Sequence, residues 1–176
     1  DKTLAGWLGK NIGGTLGGPW EGQTCPLFLY DYDPVPTEPM PNDDFELQLV
    51  WLDMIRKKGI FITPADFVEY WLHHTHYNIA EYFNGRRNMS LGLLPPVTGS
   101  FNNWWHDGMG AAIRSEIWGM IAPGAPEIAA AYAYMDASTD HCGDGVFCEM
   151  FLSAVESLAY IEPDPWRVIA SAKSFV

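Results

Sequence analysis

Apolar residues recur every three or four positions along most of this chain, which is the spacing of an amphipathic α-helix. The pattern predicts helices over residues 3–12, 42–58, 64–74, 77–93, 111–121, 126–136 and 144–160. The chain has no convincing run of alternating apolar and polar residues, which is the pattern of a strand. The sequence therefore predicts an all-α protein, a multi-helix bundle that forms a single domain over residues 1–176 with functional loops on one side.

Turn-forming residues separate the first predicted helices. The glycine-dense stretch 13–22 predicts a tight corner between two helices. The five prolines within residues 23–41 predict an extended surface loop. Gly59 marks the end of the helix before it, and Thr63 followed by Pro64 marks the start of the next one.

A second long loop, residues 93–110, combines turn formers with aromatic residues. Loops of this length in compact domains are often functional. Trp104 and Trp105 suit a flat or sugar-like ligand, although we expect at least one of them to be part of the core. The glycine-flanked helix start at residues 108–110 offers backbone N–H groups that suit a phosphate or another anion.

The charge of the chain excludes one class of partner. Twenty-two acidic residues against ten basic residues give a formal net charge of −12. Nucleic-acid binding requires Lys and Arg to neutralise phosphates, so we predict no nucleic-acid partner. No apolar run reaches the roughly 18 residues that a membrane span requires, so we predict no membrane association.

The cysteines and the N-terminal stretch bear on the compartment. The chain has three cysteines, an odd and sparse set that argues against a disulfide framework. The first ten residues contain no basic stretch followed by an apolar core, so no signal peptide is visible. Together these features predict a cytoplasmic location.

The first candidate site is the acidic start of the helix at 42–58. Asn42 is a strong N-cap, and Asp43 and Asp44 favour the positive end of the helix dipole, so a purely structural role explains all three. The alternative is a metal site, since two carboxylates and an amide oxygen are ligands that suit Mg²⁺, Mn²⁺ or Ca²⁺. Two carboxylates rarely complete such a site, so further ligands must come from elsewhere.

Two other stretches contain side chains that suit catalysis. Glu21 follows the glycine-dense stretch and stands beside Trp20, and a carboxylate beside an indole can act as an acid or a base. His141 and Cys142 suggest zinc or a Cys–His nucleophile, but the other soft ligands that zinc requires are not evident. Arg114 and Glu116 are predicted to form an intrahelical or a buried pair.

Four segments stand out along the chain: AGWLGKNIGGTLGGPWE (5–21), PNDDFELQLVWL (41–52), GMGAAIRSEIWGMIAPG (108–124) and ASTDHCGDGVFCEMFLSAVESLAY (137–160). In this order they resemble the ADP-ribosylglycohydrolase family, the dinitrogenase-reductase-activating type of all-α hydrolase. They correspond to a glycine-rich opening that ends in a functional glutamate, a Thr-Asp-Asp-Thr metal motif at a helix start, a Gly-Asn-Gly segment followed by a Met-Arg helix, and a Thr-His segment followed by a helix.

The resemblance implies a metal-dependent hydrolase of an N- or O-glycosidic bond to ADP-ribose or a related ribosyl group. The implied cofactor is Mg²⁺, as one or two ions, with Mn²⁺ as an alternative, and the implied substrate is ADP-ribosylated or contains ribose. Metal ions of this kind orient sugar hydroxyls and lower the pKa of a bound water molecule. The implied metal ligands are Asn42, Asp43 and Asp44; the catalytic residues are Glu21, Asp43 and Asp44; and the substrate-binding residues are Gly108, Met109, Gly110 and His141, to which the aromatic loop adds Trp104.

The chain departs from the family pattern at several positions. Asn42 and Phe45 replace the two threonines of the metal motif, Gly14 replaces an aspartate, and Met109 replaces the asparagine between two glycines. No Asp-x-Asp-Thr segment follows Tyr160, so we expect a missing C-terminal part or a second chain to complete the site. Two alternatives follow from these departures: an enzyme of the same fold that acts on a different sugar or nucleoside-like metabolite, or a non-catalytic module that binds a nucleotide or sugar.

Overall fold

The computed structural model describes residues 2–32 and 35–176, and regular structure within them is entirely helical. The prediction of an all-α protein is therefore confirmed for the described residues. Three short 3-10 turns, at Gly18–Trp20, Ala112–Arg114 and Lys173–Phe175, accompany the α-helices. The helices of the described residues are α1 (Lys2–Gly17), α2 (Asp43–Lys58), α3 (Pro64–His74), α4 (Ala80–Ser90), α5 (Val97–Ser100), α6 (Glu116–Ile121), α7 (Pro126–Ala137), α8 (Asp144–Leu158) and α9 (Pro165–Ala172).

The chain forms two compact units, Asp1–Glu46 and Leu47–Val176, and the boundary falls in the first turn of α2. The prediction of one domain over residues 1–176 stays a prediction. None of the helices in the described residues is long and apolar enough to cross a membrane.

The first unit is organised around α1, which is longer than the sequence predicts. The predicted corner at residues 13–22 is wrong in its first half, because α1 continues through the glycine pair and ends at Gly17. Gly14 serves a close contact instead of a turn: a Cβ atom there would stand 2.6 Å from Nδ2 of Asn42. Trp7 packs edge-to-face on Phe45, with ring centroids 5.2 Å apart.

The core of the second unit is aromatic. The rings of Trp51 and Phe67 lie 5.2 Å apart, and Phe67 in turn lies 5.6 Å from Trp118. Trp71 joins them through a contact of 5.9 Å with Trp51. These four side chains are fully buried, and such pairs contribute about 0.5–1.5 kcal/mol each beyond the area they bury. The cluster ties α2 and α3 to α6, and α7 and α8 pack against each other and against α6.

Local signals at the helix ends account for the accurate predictions. Gly59 has a φ of 81° directly after α2, a conformation that favours glycine. The Thr63 N–H donates to Oδ2 of Asp66 over 2.8 Å, half of a capping box at the start of α3. The sequence analysis missed α9, although Asp164 accepts a hydrogen bond from the Trp166 N–H and Pro165 follows it, the same type of start signal.

Two expectations for residues 93–121 are wrong. Trp104 is 90% exposed and Trp105 is 57% exposed, so neither belongs to the core. The predicted helix at 111–121 is broken into the 3-10 turn Ala112–Arg114 and the short helix α6. The Arg114 side chain is fully buried where this turn ends.

Gly85 tests how closely α4 approaches Asp140, which lies between α7 and α8. A Cβ atom at Gly85 would stand 2.7 Å from Cβ and 2.9 Å from Cα of Asp140. Gly85→Ala should therefore lower the free energy of unfolding by about 1–3 kcal/mol, even though alanine favours a helix. Chemical denaturation measures this change.

Arg87→Ala is the matched control, since Arg87 is exposed on the same helix. It should change the free energy of unfolding by less than about 0.5 kcal/mol. A Gly85→Ala protein as stable as the wild type would show that α4 and Asp140 are not in close contact.

Candidate functional site

A buried arginine lies at the centre of the second unit. Arg114 Nε donates to Oδ1 of Asp136 over 3.0 Å. Its two terminal nitrogens donate to the two carboxylate oxygens of Asp140 over 3.0 and 2.7 Å, which is a bidentate pair. All three side chains are fully buried. Burial lowers the pKa of Arg114, but the charges of Asp136 and Asp140 raise it by more than burial lowers it. The pKa of Arg114 therefore lies well above its ordinary value, and the guanidinium stays charged.

Aromatic and acidic side chains enclose this ion pair. The guanidinium carbon lies 5.4 Å from the ring centroid of Trp71 and 6.0 Å from that of Tyr82. The Trp118 Nε1–H lies 3.0 Å from both Asp136 Oδ2 and Glu149 Oε1. Burial raises the pKa of Glu149 well above its ordinary value, and the charge of Asp136 raises it further. Burial thus favours the protonated form of Glu149, which limits the negative charge beside Arg114.

His141 extends the cluster towards the surface. Its Nδ1 lies 2.8 Å from Oδ1 of Asp140, and its Nε2 lies 3.7 Å from Oε1 of Glu81. Burial lowers the pKa of His141, but Asp140 and Glu81 raise it, with a net rise to about 9. The Ala111 N–H also approaches Nε2, at 3.3 Å, a contact that fits the neutral ring. Because the ring lies between two carboxylates, the protonated form and its pairing with Glu81 prevail at neutral pH.

Residues 108–111, the glycine loop, pass directly over the Glu81 carboxylate. The Gly110 N–H donates to Oε1 of Glu81 over 2.9 Å, and the Gly110 carbonyl accepts from Arg114 over 2.9 Å. A Cβ atom at Gly110 would stand 2.4 Å from Oε1 of Glu81, so this approach requires glycine. Met109 between the glycines is 65% exposed. The structure thus brings together three of the predicted substrate-binding residues, Gly108, Gly110 and His141, around a glutamate that the sequence analysis missed.

The predicted metal ligands lie in the first unit, at the start of α2. Oδ1 of Asn42 accepts the Asp44 N–H over 2.9 Å, so Asn42 is the N-cap that the structural interpretation predicts. Oδ1 of Asp44 lies 3.8 Å from Nζ of Lys10 in α1. Two of the departures from the family pattern are in contact, since the absence of a side chain at Gly14 makes room for the Asn42 amide.

The donor set is right in kind for magnesium but incomplete in number. Carboxylate and amide oxygens suit a hard cation. Among residues 2–32 and 35–176, however, no group of three or more His, Cys, Asp or Glu side chains is placed to hold a metal ion. Asn42, Asp43 and Asp44 therefore form at most part of a coordination sphere.

The remaining candidates differ in their surroundings. Glu21 is exposed just after the 3-10 turn, where its N–H donates to the Gly18 carbonyl over 3.2 Å. Trp104 presents its ring to solvent. Burial raises the pKa of the Cys142 thiol and Asp107 raises it further, which disfavours the Cys–His nucleophile.

The sequence analysis gave no role to Glu81, and its pairing of Arg114 with Glu116 is wrong. Arg114 pairs with Asp136 and Asp140, which lie 22 and 26 positions along the chain. Glu116 instead accepts a hydrogen bond from the Gln48 side chain over 2.7 Å. The position of Arg114 within an apolar stretch was a signal that its charge is buried. Sequence spacing alone does not identify the carboxylates that pair with it.

The raised pKa of His141 predicts how stability depends on pH. A group with a higher pKa in the folded state stabilises the protein fully below its unfolded value, here 6.5, and loses that contribution as pH rises through about 9. The charged groups facing the ring are Asp140, Glu81 and Arg114. The free energy of unfolding should therefore fall between pH 6.5 and pH 9 in the wild type, and His141→Gln should lose this component. His73→Gln, at an exposed position, should keep the wild-type dependence, and equal slopes in all three proteins would contradict the assignment.

Comparison with known proteins identifies the family. No curated protein and no solved structure matches the chain. The profile described as ADP-ribosylglycohydrolase matches residues 1–176, which include all four segments on which the resemblance rests. The chain therefore belongs to the ADP-ribosylglycohydrolase family.

Proposed function

We propose that this protein hydrolyses an N- or O-glycosidic bond to ADP-ribose or a related ribosyl group, with Mg²⁺ as its cofactor. The observation that carries the proposal is the family match over residues 1–176. Members of this family are glycohydrolases, so the class of reaction follows from membership. The substrate, the linkage and the metal are our proposal.

Three acidic residues of the first unit carry the chemistry in this proposal. Asp43 and Asp44, with Asn42, contribute the oxygen ligands for the cation. A bound Mg²⁺ would orient the ribose hydroxyls and lower the pKa of a water molecule. Glu21 is the acid/base that exchanges protons with the attacking water and the leaving group, and its exposed position leaves it accessible to substrate.

The second unit supplies the substrate-binding surface in this proposal. The glycine loop lines the path of the phosphate or ribose, with Met109 at its exposed point. His141 lies below this loop, where its positive charge is paired with Glu81 and Asp140. The exposed Trp104 ring offers a face for a base or a sugar.

The incomplete donor set leads to a further part of the proposal. Since three oxygen ligands do not fill the octahedral shell of Mg²⁺, water molecules and substrate oxygens would take some of the remaining positions, and the proposal fills the others with carboxylates from another stretch of polypeptide. We assign this role to a further segment of the gene product or to a second chain.

An enzyme of the same fold with a different sugar substrate is the second candidate. It is favoured by the contact between Gly14 and Asn42, two positions at which the chain departs from the family pattern. A change at both positions alters the surroundings of the acidic pair. Faster turnover of free ribosyl nucleosides than of ADP-ribosylated peptides would favour this candidate.

Paired substitutions at the acidic helix start test the proposed function. In the complete gene product that carries residues 1–176, Asp43→Asn with Asp44→Asn should lower kcat/KM for an ADP-ribosylated peptide by about 100-fold or more, because the cation ligands are lost. The same change should abolish any rise in melting temperature that millimolar Mg²⁺ causes in the wild type.

Asp53→Asn is the matched control. Asp53 lies on the same helix, and its carboxylate pairs with Lys57 over 2.7 Å. This variant should keep kcat/KM within about threefold and keep the response to Mg²⁺. A wild-type protein that releases no ADP-ribose and shows no Mg²⁺ response would defeat the proposal.

A further inference from the structure

Glu81 is nearly buried, yet its carboxylate lies directly below the glycine loop, residues 108–111. It is the second residue of α4, and its side chain is only 10% exposed. A carboxylate in this position must be compensated, because burial alone raises its pKa. Its pKa is nevertheless lowered: burial raises it, and the interactions with His141 lower it more. Glu81 is therefore an anion at neutral pH.

The backbone of the glycine loop is held from below at successive polar atoms. Glu81 accepts the Gly110 N–H over 2.9 Å. Arg114 donates to the Gly110 carbonyl over 2.9 Å. Both polar backbone atoms of Gly110 are thus fixed by buried charged side chains. Hydrogen bonds of this kind are stronger than those between neutral groups.

The glycines allow the loop to approach this closely. A Cβ atom at Gly108 would lie 3.0 Å from the carbon and both oxygens of the Glu81 carboxylate, and one at Gly110 would overlap the same carboxylate and the Tyr82 ring. A longer or shorter acidic side chain at position 81 would therefore shift the backbone of the loop. The exposed Met109 stands between these two fixed points.

Charges alternate along the buried side chains that support the loop. Glu81 faces His141 at 3.7 Å, His141 contacts Asp140 at 2.8 Å, and Asp140 pairs with Arg114. Removal of the Glu81 charge would leave His141 paired on one side only. Glu81 therefore links the loop to the buried ion pair, because it accepts a hydrogen bond from the loop and faces His141, which contacts Asp140.

We propose that Glu81 is a positioning residue of the glycohydrolase site, whose carboxylate fixes the backbone of residues 108–111 in the conformation that binds the diphosphate or ribose part of the substrate. This inference rests on the proposed function, because the loop is assigned there to the substrate. Glu81 does not act as the acid or base: the protons in the reaction are handled by Glu21, and Oε1 of Glu81 is occupied by the loop.

The experiment compares two glutamates in matched positions. Glu81→Gln keeps the shape of the side chain and an acceptor for the Gly110 N–H, but removes the charge that faces His141. Glu127→Gln is the control, because Glu127 is the second residue of α7 as Glu81 is of α4, and it is exposed. Both changes remove one negative charge from the first turn of a helix, so their dipole effects are alike.

Two readouts separate positioning from simple stabilisation of the fold. Amide hydrogen exchange of Gly110 should become about tenfold faster in Glu81→Gln and stay unchanged in Glu127→Gln. KM for an ADP-ribosylated peptide should rise about fivefold while kcat stays within about twofold, because the loop binds the substrate without taking part in bond cleavage. A loss of folded protein would instead lower the apparent kcat and leave KM unchanged.

Exchange in Glu81→Gln within twofold of the control, or faster exchange with an unchanged KM, would overturn the inference. If Glu81→Gln does not fold, Glu81→Asp carries the same two readouts, since it keeps the charge but withdraws the carboxylate from the Gly110 N–H. If the wild type releases no ADP-ribose, the proposed function fails. The exchange rate of Gly110 then decides the positioning role alone, and an unchanged rate overturns it.

Discussion

The bidentate pairing of Arg114 with Asp140 is the interaction on which the organisation of the second unit depends. Both side chains are fully buried, and an unpaired charge there would cost several kcal/mol. Other groups complete the surroundings of the pair: Asp136 accepts the Nε–H, Trp71 and Tyr82 lie against the guanidinium, and burial raises the pKa of the nearby Glu149. Since replacing a buried ion pair by apolar residues is often neutral for stability, we interpret this pair as a device that fixes neighbouring groups in place.

Those neighbouring groups form the candidate site of the second unit. Asp140 orients His141 through Nδ1, and Arg114 holds the carbonyl of Gly110, so one ion pair sets both the ring and the loop. Glycines make these contacts possible, because Gly85 and Gly110 leave room for Asp140 and Glu81 where a Cβ atom would collide. The same principle operates separately in the first unit, where Gly14 makes room for the N-cap of α2. This chain thus uses glycine for close approach as well as for turns.

The sequence predicted those parts of the fold that have local causes. Helices α2 and α3 were predicted closely, since Gly59 and Thr63 mark their ends by their own chemistry. The corner predicted at residues 13–22 was wrong in its first half, because glycine pairs are typical of turns. Asn42, whose contact explains Gly14, lies 28 positions further along the chain. The site residues Gly108, Gly110 and His141 were recognised through the family resemblance, whereas Glu81 and the partners of Arg114 depend on contacts between distant segments. The exposure of Trp104 and Trp105 could not be predicted, since large aromatic residues usually supply core area.

A double-mutant cycle between Arg114 and Asp140 tests the central claim most directly. The free energies of unfolding of the wild type, Arg114→Met, Asp140→Asn and the double variant are measured by chemical denaturation at neutral pH. If the pair organises the unit, the two substitutions are coupled by about 1–3 kcal/mol, because either one alone leaves a buried charge without its partner. Additive effects, within about 0.5 kcal/mol, would contradict the account, since the two side chains would then contribute independently.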